Sequence, residues 1–204
     1  MILNKKKIVF TGGSGRFGSV FKKINSNYKI FYPSKSELDI TKINKIRLYL
    51  KKIKPKYLIH CAALSRPMKI HEEDIKKSID INIIGTANIV KICEEYKIKL
   101  IYFSTNYVYP SFKGNYIEES ALLPFNNYGW SKLGGESAVQ MYSNSLILRI
   151  CMTEKPFTHT QAFTDLKANF IYQDDLAKNL LKLINKKGIL NVGGKTQSVY
   201  EFAK

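Results

Sequence analysis

Apolar and polar positions alternate along this chain in two periods. "KKIVFT" is a short β-branched run that leads straight into a glycine-rich turn and then "SVFKKI". "YKIFYP" predicts a second strand closing at Pro33, and "INKIRLYLKKI" repeats apolar residues at helical spacing before Pro55. "KYLIHCAA" predicts a third strand. From His71 to about Tyr96 the pattern predicts one long helix with acids in its first turn. "IKLIYFST" and "SLILRI" predict two further strands, with a helix opening around Tyr128 between them. "QDDLAKNLLKLI" is amphipathic, "GILNVGG" reads as strand then turn, and "SVYEFAK" starts a helix with Ser198 as its N-cap. Strands separated by helices predict an α/β fold, a Rossmann-type doubly wound parallel sheet covered on both faces.

The length of 204 residues suits one domain, expected to run over 1–204. The least regular stretch, about 151–170, is expected to be a loop or short lid facing substrate, with Thr158 and His159 as candidate contacts. A hydrophobic fraction of 45% belongs to a folded protein. No apolar run reaches the length of a membrane span, so no membrane partner is expected. Cys61, Cys93 and Cys151 are odd in number, far apart and without metal-ligand spacing. No metal site is expected, and a reduced, cytoplasmic compartment is.

The net charge of +17 raises a nucleic-acid reading. Only Arg16, Arg47, Arg66 and Arg149 among the 33 basic residues are arginine, and the lysines are spread along the chain. That distribution fits solvated faces, and no nucleic-acid partner is expected. The charge would still draw in an anionic substrate.

Candidate chemistry begins with "TGGSGRFG", residues 11–18, where Gly12, Gly15 and Gly18 have GxxGxxG spacing between a strand and a helix. Glycines there allow a tight turn and close approach of a diphosphate to the backbone. The second strand ends without an acid to accept a ribose 2′-hydroxyl. Lys35, Ser36 and Arg16 lie where a 2′-phosphate would sit, so NADP is expected ahead of NAD. "NNYGWSK" places Tyr128 and Lys132 one helical turn apart. A lysine beside a tyrosine lowers the phenol pKa and suits it to proton transfer. His60 reads as a core residue, and His71 opens a helix.

The ordered set "TGGSGRFG", "LDI", "HCAA", "INIIGTAN", "FSTNYVYP" and "YGWSK" resembles the extended short-chain dehydrogenase/reductases, within them the dTDP-4-dehydrorhamnose reductase group of nucleotide-sugar reductases. The likeness runs over roughly residues 5–150 and resumes at "FIYQDDLAKNLL" and "NVGG". It implies that Gly12, Gly15, Arg16, Phe17 and Gly18 form the phosphate turn and that Asp39 and Ile40 contact the adenine. It further implies that Cys61, Ala62 and Ala63 line the cofactor edge of the third strand and that Asn82 supports the catalytic lysine. Ser104 and Thr105 would end the fourth strand beside the nicotinamide, with Thr105 as hydroxyl donor, Tyr128 as proton donor and Lys132 as its partner. The substrate would be a nucleotide sugar and the assembly a homodimer. An epimerase or dehydratase of the same family, and a non-catalytic NADP-binding regulatory subunit, are the alternatives. Asn106 stands where the family commonly has Asp, and only about twenty residues separate "LRI" from "FIYQ", so the substrate-binding region is reduced.

Overall fold

The computed structural model describes residues 5–157 and 160–204. The chain order is β1 (Lys7–Thr11), α1 (Arg16–Phe21), β2 (Lys29–Phe31), α2 (Ile43–Ile53) and β3 (Tyr57–His60). Then come α3 (Ile70–Glu73), α4 (Ile75–Ser78), a π-helical segment (Ile79–Ile84), α5 (Gly85–Glu95) and β4 (Lys99–Thr105). A 3₁₀ turn (Asn106–Val108) precedes α6 (Asn127–Gln140) and β5 (Ser145–Ile150). Last come β6 (Met152–Thr153), β7 (Lys167–Ala168), β8 (Ile171–Tyr172), α7 (Gln173–Leu180), β9 (Gly188–Val192), β10 (Gln197–Ser198) and α8 (Val199–Ala203).

Six strands form one sheet in the order β2-β1-β3-β4-β5-β9. Every pair in it is parallel, including β1 with β3, where Val9 is level with Leu58. The period-2 alternation sends residues to two cores. Ile8, Phe10, Ile59, Phe103 and Leu148 pack with Phe17 and Phe21 of α1 and with Leu176 and Leu180 of α7. Val9, Leu58, Leu100 and Ile147 pack on the other face with Ile46 and Leu50 of α2, Ile89 and Ile92 of α5 and Val139 of α6. A sheet buried on both faces needs strands that are mostly apolar on both sides, and β4 and β5 are buried throughout.

The helix of residues 43–53 stops as its sequence requires. Lys54 takes a left-handed conformation (φ 51°) directly before Pro55. Ser198 closes a capping box with Glu201 at the start of α8. The expected single helix from His71 to Tyr96 is instead interrupted. Asp74 leaves helical geometry (φ −134°, ψ 71°), and its carboxylate accepts from Lys77 N to restart the chain as α4. An aspartate that bonds backbone locally competes with helix continuation. The following turn widens into the π-helical segment, where Asn82 is drawn to the loop after β3.

The stretch 151–170 is not simply a loop. It contributes β6, paired parallel with β8, and β7, paired antiparallel with β10. Thr158 and His159 lie outside the described residues. No helix among the described residues is long and apolar enough to cross a membrane.

Candidate active site

A cavity of about 1050 Å³ opens along the carboxyl ends of β1, β3, β4 and β5, the edge where open parallel sheets bind ligands. Its floor begins at the glycine turn. Gly12 has φ +79°, and a Cβ there would lie 2.8 Å from Ala62 N. A Cβ on Gly18 would meet Gly12 O at 2.5 Å. The turn therefore closes only with glycine at both positions, and it presents bare backbone to the cavity. That cradle fits the diphosphate of a dinucleotide.

Of the residues anticipated from sequence, Gly12, Gly15, Arg16, Phe17 and Gly18 all line this cavity. So do Lys35, Asp39 and Ile40 at one end, and Cys61, Ala62 and Ala63 past β3. Asp39 turns its carboxylate to Thr41, accepting from its backbone N at 2.9 Å and its hydroxyl at 2.7 Å. Arg16 does not reach toward Lys35. It pairs with Glu154 at 2.9 Å, and Arg66 approaches the same carboxylate oxygen at 3.5 Å. Burial pushes the Cys61 thiol up to about 12, so it acts as a packed neutral group.

Asn82 is placed behind the wall rather than in it. It is 1% exposed, accepts from Leu64 N and donates to Leu64 O and Ser131 Oγ, each at 2.8 Å. It thus ties the loop after β3 to α6, next to Lys132 in sequence but without a bond to that side chain's amine.

At the far end, Ser104, Thr105, Tyr128 and Lys132 converge. Asn126 caps α6 by accepting from Gly129 N at 2.8 Å, which sets Tyr128 on the first turn and Lys132 on the second. Thr105 ends β4, and its hydroxyl accepts from Tyr107 N at 3.2 Å. The Thr105 hydroxyl beside the Tyr128 phenol draws its pKa down. Burial outweighs this and pushes the phenol up to about 12. The expected depression by Lys132 is not what governs Tyr128: after burial and Thr105, its neighbours of note are Tyr107, Cys61 and Arg66. The ring lies 5.2 Å from that of His71 and 5.8 Å from that of Tyr107, which hold its plane.

Lys132 is 3% exposed, and burial lowers its ammonium to about 8. Its Nζ sits 4.2 Å from the centroid of the Tyr102 ring, whose π-face supports a cation there. Glu136, one turn further along α6, favours the charge. His60 is a core residue, with ring nitrogens bonded to Thr11 and Thr86 and a pKa lowered to about 3.

One feature was not anticipated. Ser104 Oγ donates to Glu136 Oε2 at 2.6 Å, and Arg149 holds the other oxygen through Nε at 3.0 Å and Nη2 at 2.6 Å. An arginine inside the apolar run "SLILRI" was the available signal, since a buried guanidinium needs an anion. The 151–170 stretch, expected to face substrate, does contribute to the cavity wall, through Met152, Phe157, Phe163 and Leu166, but as short strands and not as a plain loop. Its short strands pair with residues far along the chain, beyond the reach of local pattern.

A parallel sheet of this order, with a glycine cradle after β1 and a Tyr–Lys turn facing the end of β4, defines an extended short-chain dehydrogenase/reductase-type α/β protein. More specifically, residues 6–162 match the RmlD substrate binding domain family, and the chain belongs to it. It is 29% identical over 155 residues to methionine adenosyltransferase 2 subunit beta of Xenopus laevis, covering 71% of this chain and 46% of that protein. It is 27% identical over 202 residues to dTDP-4-dehydrorhamnose reductase of Aggregatibacter actinomycetemcomitans, covering 94% of this chain and 63% of the relative. The chain thus spans 46% and 63% of the lengths of these curated relatives. The crystal structure of dTDP-4-dehydrorhamnose reductase from Bacillus anthracis in complex with NADP superposes with a TM-score of 0.88 at 28% identity, covering 98% of this chain and 78% of that one.

Proposed function

We propose that this chain is an NADP-dependent reductase that acts on a keto group of a nucleotide-activated deoxy sugar. The observation that carries this reading is the Thr105–Tyr128–Lys132 cluster at one end of a cavity whose other end is the glycine cradle. The likeness to dTDP-4-dehydrorhamnose reductases, one of them in complex with NADP, supports the cofactor and the substrate class.

NADPH, when bound, supplies the hydride. A carbonyl carbon that accepts it leaves an oxygen in need of a proton. Tyr128 is a neutral phenol throughout the physiological range because burial holds its pKa near 12. An alkoxide is a stronger base than a phenolate, so transfer from Tyr128 runs downhill. Thr105, beside that phenol, favours the phenolate left behind and polarises the carbonyl. Lys132 keeps most of its charge below pH 8, and that charge also favours the phenolate. Lys132 is shut from water and Tyr128 is partly so, which strengthens the interactions of both. Lys35 and the absence of an acid at the end of β2 support NADP over NAD, which remains the alternative cofactor. One domain over 1–204 and a reduced, cytoplasmic setting belong to the same reading.

The test is NADPH oxidation over a panel of dTDP-, UDP-, GDP- and CDP-4-keto-6-deoxy sugars. Turnover with one of them is expected. A product changed at a stereocentre without net NADPH loss would instead indicate an epimerase. NADPH binding without turnover on any panel member would favour a regulatory subunit, a reading that the likeness to methionine adenosyltransferase 2 subunit beta keeps in view.

A further inference from the structure

The opposite edge of the sheet carries a second cavity, of about 170 Å³, lined by Lys56, Lys97, Lys99 and Lys187 with Tyr57, Asn144 and Asn185. The register explains the gathering. Tyr57 pairs with Lys99, Leu100 with Ser145 and Leu146 with Gly188, so Lys56, Lys99, Asn144 and Lys187 stand at the amino ends of four adjacent parallel strands. Neighbouring strands lie about 4.8 Å apart, which forces their amines into one small region. Lys97 has an ion-pair partner in Glu94. Lys56, Lys99 and Lys187 pair with no carboxylate among the described residues.

Lys99 is the informative member. It is only 6% exposed and donates one hydrogen bond, to Ser145 O at 2.9 Å. An ammonium has three donors, so two remain. Burial and the nearby Lys187 push it down to about 8, the mark of a cation lacking its counter-charge. Tyr57 OH donates to Asn185 Oδ1 at 2.9 Å, which fixes the amide so that its N–H groups stay as donors. The lining thus offers donors and positive charge to whatever enters.

We propose that this cavity is an anion site that takes a phosphate group, held by Lys56, Lys99 and Lys187 and separate from the dinucleotide cavity. Lysine binds phosphate as a point charge and needs no fork geometry. At about 30 Å³ per water, the cavity has room for roughly five or six waters, which suits one phosphate and excludes a whole nucleotide. The base of a nucleotide would therefore stay outside. From Lys99 to Thr105 the sheet runs roughly 20 Å, so the two cavities do not overlap.

Calorimetry on the full chain, with NADPH in excess to fill the first cavity, decides this. The titrants are inorganic phosphate, pyrophosphate and adenosine diphosphate. Saturable binding of at least one is expected, weakened about three- to fivefold by Lys56→Gln and by Lys187→Gln, the scale of one exposed ion pair. Lys178→Gln and Lys182→Gln, which remove the same charge from exposed positions on and just after α7, should change it less than about twofold. Binding of pyrophosphate or phosphate marks a free anion as the occupant, and binding of the diphosphate nucleotide alone marks a nucleotide tail. No saturable binding, or equal losses in all four variants, overturns the proposal.

Discussion

Arg149 Nη2 lies 2.6 Å from Glu136 Oε1, and the two side chains are 2% and 0% exposed. The pair lies behind the candidate catalytic end, because Glu136 also accepts from Ser104 near the tip of β4. Removing one partner strands the other charge in a dry interior. Arg149→Met is expected to cost about 3–5 kcal/mol of unfolding free energy. Glu136→Gln should cost less, because the amide still accepts one hydrogen bond. Urea unfolding of both singles and the double checks this, and the double should cost less than the sum.

The glycine cradle predicts a loss confined to ligand binding. Gly18→Ala puts a methyl 2.5 Å from Gly12 O, and the contact is backbone that cannot swing aside. The turn must open, so NADPH affinity should fall at least about tenfold, or 1.4 kcal/mol. Fluorescence titration of NADPH measures it, with circular dichroism to confirm that the sheet persists. Unchanged affinity would show that the turn is structural only.

Cofactor choice is expected to turn on Lys35. NADPH is expected to bind more tightly than NADH, and Lys35→Gln should erase most of the difference while sparing NADH. A single screened contact to a phosphate is worth roughly 1 kcal/mol, about fivefold. Equal affinities in the unaltered protein would leave Lys35 a plain surface lysine.

Lys132 predicts a pH dependence of opposite sign for stability and for binding. Its pKa falls from 10.5 to about 8 on folding, so between those values the unfolded chain holds a proton that the folded chain has lost. Stability contributed by this site therefore rises with pH through that window, and the cost of burying the charge is felt in full below pH 8. Lys99, also near 8, adds a second rise. Cofactor affinity that depends on the Lys132 charge should fall above pH 8. Lys132→Met should weaken NADPH binding, flatten its pH profile and remove part of the rise in unfolding free energy between pH 8 and 10. A profile shared by the variant would assign the effect elsewhere.

Much of this was legible in the chain. The order of strands and helices came through because a sheet buried on both faces demands long apolar runs, and α2 matched its pattern from Ile43 to Ile53. The glycine turn and the Tyr128–Lys132 spacing were visible because each depends on neighbours in sequence. The break at Asp74 was hidden, since an aspartate in an otherwise helical pattern reads as a first-turn acid until its carboxylate is seen capping Lys77 N. The partnership of Glu136 with Arg149 and the strand pairing within and beyond 151–170 depend on register between distant segments. Local periodicity carries no register.

Tyr128 is the sharpest test of the proposed chemistry. Tyr128→Phe keeps the ring, and so keeps its contacts with His71 and Tyr107. It removes only the hydroxyl beside Thr105. If that hydroxyl gives the proton, turnover should fall well beyond about tenfold while NADPH affinity stays within about twofold. Lys132→Met should damage both, because its charge serves the phenolate and the cofactor together. The two losses should not add, since both act on one proton transfer. Turnover and NADPH affinity for each single variant and the double measure this. A Tyr128→Phe protein with more than about a tenth of normal activity would have lost under 1.4 kcal/mol of barrier lowering. That outcome would make Tyr128 a packing residue whose spacing from Lys132 is only that of a helix face.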